Sequence, residues 1–205
     1  MGRTAAGTVA VLLRVALVLG SGAATPALPA ENSGSIQPTP QVFKSNGKRT
    51  TSLHGWAIGA SASIAGGLSP SLVANATAGR VTAAGGVAAL PATKFIAMGL
   101  PAEDAALRHL AAKQSLVLSN TGNETYLLAV STDSVLILAN SAAGVFWGVQ
   151  SLLQLANRDP KAVRQCIVHD WPDFRMRGAY MYGAPKMASG GLAWNKKLVD
   201  WLARP

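Results

Sequence analysis

The feature that most narrows the fold is a pair of apolar runs around a short polar link, followed at once by an amphipathic stretch. Tyr126-Leu127-Leu128-Ala129-Val130 and Val135-Leu136-Ile137-Leu138-Ala139 flank Ser131-Thr132-Asp133-Ser134. Two β-prone runs separated by a polar turn predict a hairpin. Both runs are almost continuously apolar, which predicts strands that are covered on both faces or central in their sheet. Val145, Phe146, Val149, Leu152, Leu153 and Ala156 then recur at helical spacing, with Gln150, Gln154 and Asn157 elsewhere on the wheel. Asn140 or Ser141 can cap this helix, and Asp159-Pro160 ends it. Its apolar stripe needs a sheet to cover, and the hairpin supplies one, so the pair makes an α+β layer.

Upstream signals are weaker. Pro38 and Pro40 mark an extended stretch over 31–48 that leads into a strand at Val42-Phe43. Residues 55–92 are rich in Gly, Ala and Ser with little periodicity; they read as loops with one short helix near 68–76. Lys94 to Gly99 reads as a strand. Glu103 to Ala112 reads as a helix with Ala105, Ala106, Leu107 and Leu110 on its apolar side and acids at its start. Residues 31–164 are therefore expected to form one α+β domain, an antiparallel-rich sheet with helices on one face.

After Ala162 the character changes. Ile167-Val168-His169-Asp170-Trp171-Pro172 leads to Phe174-Arg175-Met176-Arg177-Gly178, then Ala179-Tyr180-Met181-Tyr182 reads as a strand and Leu192 to Ala203 as a helix. A strand followed by a helix is the first step of a parallel α/β fold. Residues 165–205 are expected to be the first β/α unit of a truncated (β/α)8 barrel, since one strand and one helix cannot close a barrel.

Residues 1–30 have the layout of a signal peptide: Arg3, an apolar run from Val9 to Leu19 interrupted by Arg14, and small residues at Ser21 to Ala24. A transit peptide fits the same stretch, which carries Arg and no acid before Glu31. The apolar run is about half what a bilayer crossing needs, so no membrane anchor is expected. The destination is secretion, or the lysosomal or vacuolar lumen. The sequons Asn75-Ala76-Thr77 and Asn123-Glu124-Thr125 make Asn75 and Asn123 glycosylation candidates. The single cysteine, Cys166, excludes an intramolecular disulfide and a multi-cysteine metal site, and reads as a buried thiol. The formal charge is +9, but the bases are scattered and form no polybasic tract. They read as a solvated surface, with no nucleic-acid partner. No metal and no cofactor are expected.

Gly144-Val145-Phe146-Trp147-Gly148-Val149-Gln150-Ser151-Leu152-Leu153-Gln154-Leu155 resembles the last helix of the accessory domain of glycoside hydrolase family 20, the β-N-acetylhexosaminidases. Ile36-Gln37-Pro38-Thr39-Pro40-Gln41 resembles the start of that domain. Asp170-Trp171-Pro172 with Phe174-Arg175-Met176-Arg177-Gly178 resembles its junction with the catalytic barrel. The resemblance implies hydrolysis of terminal N-acetylhexosamine residues on glycans or chitin oligomers, and it leaves dimerisation of the complete protein open. It implies that Arg177 binds substrate hydroxyls, for which a rigid five-donor fork is suited. The competing reading pairs Arg177 with Asp170 or Asp173 at the domain seam.

The implied mechanism is substrate-assisted and retaining, with the acetamido group as nucleophile. It needs an adjacent Asp-Glu pair. The sequence contains none, and its three glutamates are Glu31, Glu103 and Glu124. No catalytic residue is therefore assigned in these 205 residues, and the chain alone is expected to be inactive. Tyr182-Gly183-Ala184-Pro185 departs from the family's usual continuation. Family 84, with a similar accessory domain, is the second reading, and a secreted non-catalytic α+β module is the third.

Overall fold

A computed structural model describes residues 36–82, 86–157, 159–174 and 176–178. The expected signal peptide at 1–30 and the expected strand and helix over 179–205 lie outside the described residues. The strands are β1 (Val42–Thr51), β2 (Ala57–Ala60), β3 (Arg80–Val81), β4 (Phe95–Gly99), β5 (Tyr126–Val130), β6 (Ser134–Ala139) and β7 (Val163–Asp170). The helices are α1 (Ala62–Ala65), α2 (Leu68–Thr77), α3 (Ala105–Lys113) and α4 (Ala142–Ala156), with a 3₁₀ turn at Gly86–Ala89. The strands form one seven-stranded sheet in the order β1-β7-β5-β6-β4-β2-β3.

The hairpin and the helix after it form as the sequence predicts. Val130 pairs with Val135 and Tyr126 with Ala139. In the turn, the Ser131 amide donates to the Ser134 carbonyl at 2.9 Å and the Ser134 amide donates to the Ser131 hydroxyl at 3.2 Å. Ser141 is the N-cap of α4, its hydroxyl accepting from the Gly144 amide. Asp104 caps α3 in the same way, accepting from the Leu107 amide at 3.0 Å. Each cap satisfies one amide that a helix start leaves without an intrahelical acceptor.

Two parts of the expected fold class need correction. The sheet is evenly mixed rather than antiparallel-rich: β1–β7, β7–β5 and β5–β6 are antiparallel, while β6–β4, β4–β2 and β2–β3 are parallel. The parallel half arises because α1 and α2, and then α3, carry the chain across between strands, which a tight turn cannot do. The helices also lie on both faces rather than one. Ile96, Met98, Leu128, Val130, Val135 and Ile137 pack in one core with residues of α1, α2 and α4. Their neighbours Phe95, Ala97, Leu127, Ala129, Leu136 and Leu138 pack in a second core with Leu107 and Ala111 of α3. Alternate residues of each strand face opposite cores, which is why these strands are apolar throughout.

Residues 55–92, read as loops with one helix, hold the expected α2 and also β2, α1 and β3. The missed strand is Ala57-Ile58-Gly59-Ala60. Its small residues carry no strand signal, yet the space demands them: a Cβ on Gly59 would lie 2.9 Å from the Gly86 carbonyl oxygen and from Leu90. The sheet also runs on through β7 to Asp170, past the boundary expected at 164. β7 fills the gap between β1 and β5, so the segment read as leading out of the domain completes its sheet.

Cys166 sits on β7, buried, and burial pushes its thiol up to about 12. Among the described residues, no helix is long and apolar enough to cross a membrane. None of their His, Cys, Asp and Glu side chains gather into a group of three suited to a metal ion.

Candidate functional site

Where the chain leaves β7, a half-open cavity of about 460 Å³ lies beside α4. Its walls come mainly from the stretch before β1, from α4, and from Trp171, Pro172, Asp173, Phe174 and Arg177. Gln37 and Gln154 hold the first wall to the second. The Gln37 amide donates to Gln154 Oε1 at 2.7 Å, and Gln154 Nε2 donates to the Gln37 carbonyl at 3.1 Å. Gln41 holds the first wall to the third, its main-chain amide donating to Asp170 Oδ1 at 3.0 Å and its side chain to Asp173 Oδ1 at 2.5 Å.

The deep end is a chain of hydroxyls ending on a carboxylate. Tyr126 from β5 donates to Asp170 Oδ2 at 3.2 Å, and its oxygen lies 2.6 Å from the hydroxyl of Ser151 on α4. Burial, reinforced by the charge of Asp170, raises the Tyr126 phenol far above its ordinary value. Burial also raises the Asp170 carboxyl, opposed by the hydrogen bonds it accepts from the Gln41 and Trp171 amides and from Tyr126. Behind the wall, His169 packs edge-on against Trp171 with ring centroids 5.0 Å apart. Its Nε2 is buried with no partner among the described residues, and burial lowers its pKa.

The mouth holds the charged groups. Trp147 of α4 donates its indole N–H to Glu124 Oε2 at 2.9 Å, and the Arg177 guanidinium pairs with the same oxygen. The guanidinium carbon lies 5.9 Å from the Trp147 ring centroid, and Nη1 donates to the Phe174 carbonyl at 2.9 Å. Arg177 thus pairs with Glu124, and neither Asp170 nor Asp173, the acids singled out from the sequence, is its partner. Glu124, Asp170 and Asp173 all serve as acceptors to protein donors. The sequence reading missed Glu124, Trp147, Tyr126 and Ser151. It also set Gln150 and Gln154 away from the apolar stripe, where solvent would be the ordinary neighbour, but both face the cavity.

Asn75 is exposed in the last turn of α2, while Thr77 of its sequon is buried and donates to the Val73 carbonyl at 2.8 Å. Asn123 is exposed before β5, and Thr125 of its sequon is buried with its hydroxyl 3.2 Å from Asn120 Oδ1.

Comparison with known proteins places the sheet and helices. The family described as glycosyl hydrolase family 20, domain 2, matches residues 35–171. The structure of CpGH84B is similar over 73% of this chain and 25% of its own, with 23% identity and a TM-score of 0.53. The structure of CpGH84D is similar over 73% and 26%, with 15% identity and a TM-score of 0.57. The GH20 β-N-acetylhexosaminidase from Streptomyces coelicolor A3(2) aligns over 71% and 28%, with 23% identity and a TM-score of 0.48. The chain therefore spans about a quarter of the length of these structures. No curated protein matches its sequence. With the family's domain matched over most of the chain and its last strand ending where the cavity begins, the chain belongs to glycosyl hydrolase family 20 through that family's domain 2.

Proposed function

We propose that this chain is the N-terminal, accessory part of a β-N-acetylhexosaminidase that removes terminal non-reducing N-acetylhexosamine residues by substrate-assisted, retaining catalysis. The family match over 35–171 is the observation that carries the reading. In this reading the accessory domain supports the catalytic unit through the wall at 171–177. Arg177 supplies a substrate contact in the complete enzyme, with two of its donors spent on Glu124 and Phe174. The catalytic Asp-Glu pair is not among these 205 residues, so the chain by itself is inactive. The proposal includes a cleaved signal at 1–30, delivery to a secretory or lysosomal lumen, and glycans on Asn75 and Asn123, both exposed.

A family 84-like N-acetylglucosaminidase is the second reading. It is favoured by the fold similarity to CpGH84B and CpGH84D, the two with TM-scores above 0.5 among the structures described.

The test is an assay of the purified chain on a chromogenic N-acetylglucosaminide. The expected result is no turnover above blank. Turnover abolished by Arg177→Ala would overturn the assignment of an accessory role to these residues.

A further inference from the structure

The chain contains a single Asn-Gly pair, Asn46-Gly47, and the fold leaves it open to the chemistry such a pair undergoes. β1, the edge strand of the sheet, pairs with β7 at Ser45–Cys166 and again at Thr50–Arg164. Between these pairs, residues 46–49 bulge outward opposite the single residue Gln165. Asn46 and Gly47 are both exposed. Gly47 has φ +64°, and nothing lies within 4 Å of the position a Cβ would take. A residue without a side chain, outside the paired register, leaves its main-chain nitrogen accessible to the side chain before it.

The reaction is intramolecular and needs only water. The Gly47 nitrogen, on losing its proton, attacks Asn46 Cγ. The new N–C bond closes a cyclic imide, the Cγ–Nδ2 bond breaks, and ammonia leaves with the proton. Water then opens the imide at either carbonyl, giving aspartate or isoaspartate. Lys48 and Arg49 follow and are exposed, and nearby positive charge favours the deprotonated nitrogen. The side chain of Asn46 is restrained by a bond from Nδ2 to Gln165 Oε1 at 3.3 Å, a length at which the bond is weak. Asn140 is the contrast. Its Nδ2 donates to the Asn120 and Gly122 carbonyls at 2.8 and 3.1 Å, and the next residue is the N-cap of α4.

The product alters how β1 is held. Gln165 is 5% exposed, and its Nε2 donates to the Thr50 carbonyl at 3.3 Å and to the Thr132 hydroxyl at 3.2 Å. Gln165 thereby ties the bulge to the β5–β6 turn. A carboxylate at position 46 has no proton to donate, so Gln165 Oε1 would face a second acceptor. Isoaspartate would also add a carbon to the main chain of the bulge. We propose that Asn46-Gly47 is a site of spontaneous deamidation in the folded protein, and that its product frees the β1 bulge from Gln165.

The test incubates the 205-residue chain in mildly alkaline buffer, beside a synthetic peptide of residues 44–53. Samples of the chain are digested with chymotrypsin, which cuts after Phe43 and Leu53, and mass spectrometry with electron-transfer fragmentation separates asparagine, aspartate and isoaspartate. Asn46 in the folded chain should convert to a mixture of both acids, at a rate within about fivefold of the free peptide. Asn140 should convert at least about tenfold more slowly. Asn46→Gln keeps the donor and closes a ring poorly, so position 46 should stay unmodified on ageing. Thermal melts of the aged parent should fall below those of the fresh chain, and the melts of aged Asn46→Gln should not. A folded chain that protects Asn46 far beyond the peptide overturns the proposal. So do conversion to aspartate without isoaspartate, which bypasses the imide, and a converted chain that melts with the fresh one.

Discussion

Replacing Gly144 with alanine should destabilise the domain, although the same change inside a free helix would stabilise it. Gly144 sits in the first turn of α4, pressed on the start of β5. An added Cβ would lie 2.4 Å from the Thr125 carbonyl oxygen and 2.9 Å from Ala139 Cβ. The oxygen is main chain at the edge of a paired strand, so it cannot rotate away, and the helix or the strand must shift. Overpacking of this kind costs about 1–3 kcal/mol. Helix propensity returns up to about 1 kcal/mol. With the full propensity return the net loss is about 0–2 kcal/mol, centred near 1 kcal/mol, which is a fall in Tm of about 2–4 °C for a domain of this size. Gly66 provides the contrast. It ends α1 at φ −83° with nothing within 4 Å of the position its Cβ would take. Gly66→Ala should be neutral or stabilise by up to about 1 kcal/mol through the unfolded chain. Thermal melts of both variants beside the parent, followed by circular dichroism, give the comparison. A Gly144→Ala melt at or above the parent would mean that α4 does not sit on β5 as described, and the cavity wall it carries would lose its basis.

Two further outcomes concern the cavity. Burial raises the Asp170 carboxyl above its ordinary 3.8, so the folded state holds this proton more tightly than the unfolded chain. The associated stability is fully present below the unfolded value and is lost as pH rises through the folded one. Asp170→Asn should therefore melt above the parent at neutral pH, with the gap closing in acid; a parent that melts higher at neutral pH contradicts the argument. Glu124→Gln releases a half-exposed ion pair worth about 0–1 kcal/mol. Trypsin should then cut after Arg177 up to about fivefold faster, and an unchanged rate would show that the guanidinium is not held there.

What could be read from the sequence was local in origin. The β5–β6 hairpin, α4 and the caps Ser141 and Asp104 depend on residues two to four positions apart, so periodicity and capping chemistry reveal them. β2 could not be read, because its small residues answer to the close approach of Gly86 and Leu90, which are distant in sequence. Nor could the side of the sheet that α3 covers, since an amphipathic helix names its buried face and not the surface it meets. Arg177 was visible as a candidate from its junction motif, but its partner Glu124 lies 53 positions away.

The sequence by itself determined the elements with strong period, a sheet apolar on both faces, and a family resemblance carried by the α4 helix and the Asp170–Gly178 junction. Only the tertiary structure decided that β7 closes the sheet, that half of the pairings are parallel, and that Gln150, Ser151 and Gln154 of α4 line a cavity. The physical reason is range. Helix and hairpin preferences are encoded between near neighbours, whereas the cavity exists only when α4, the stretch before β1, residues 171–174 and Arg177 are brought together by the sheet between them.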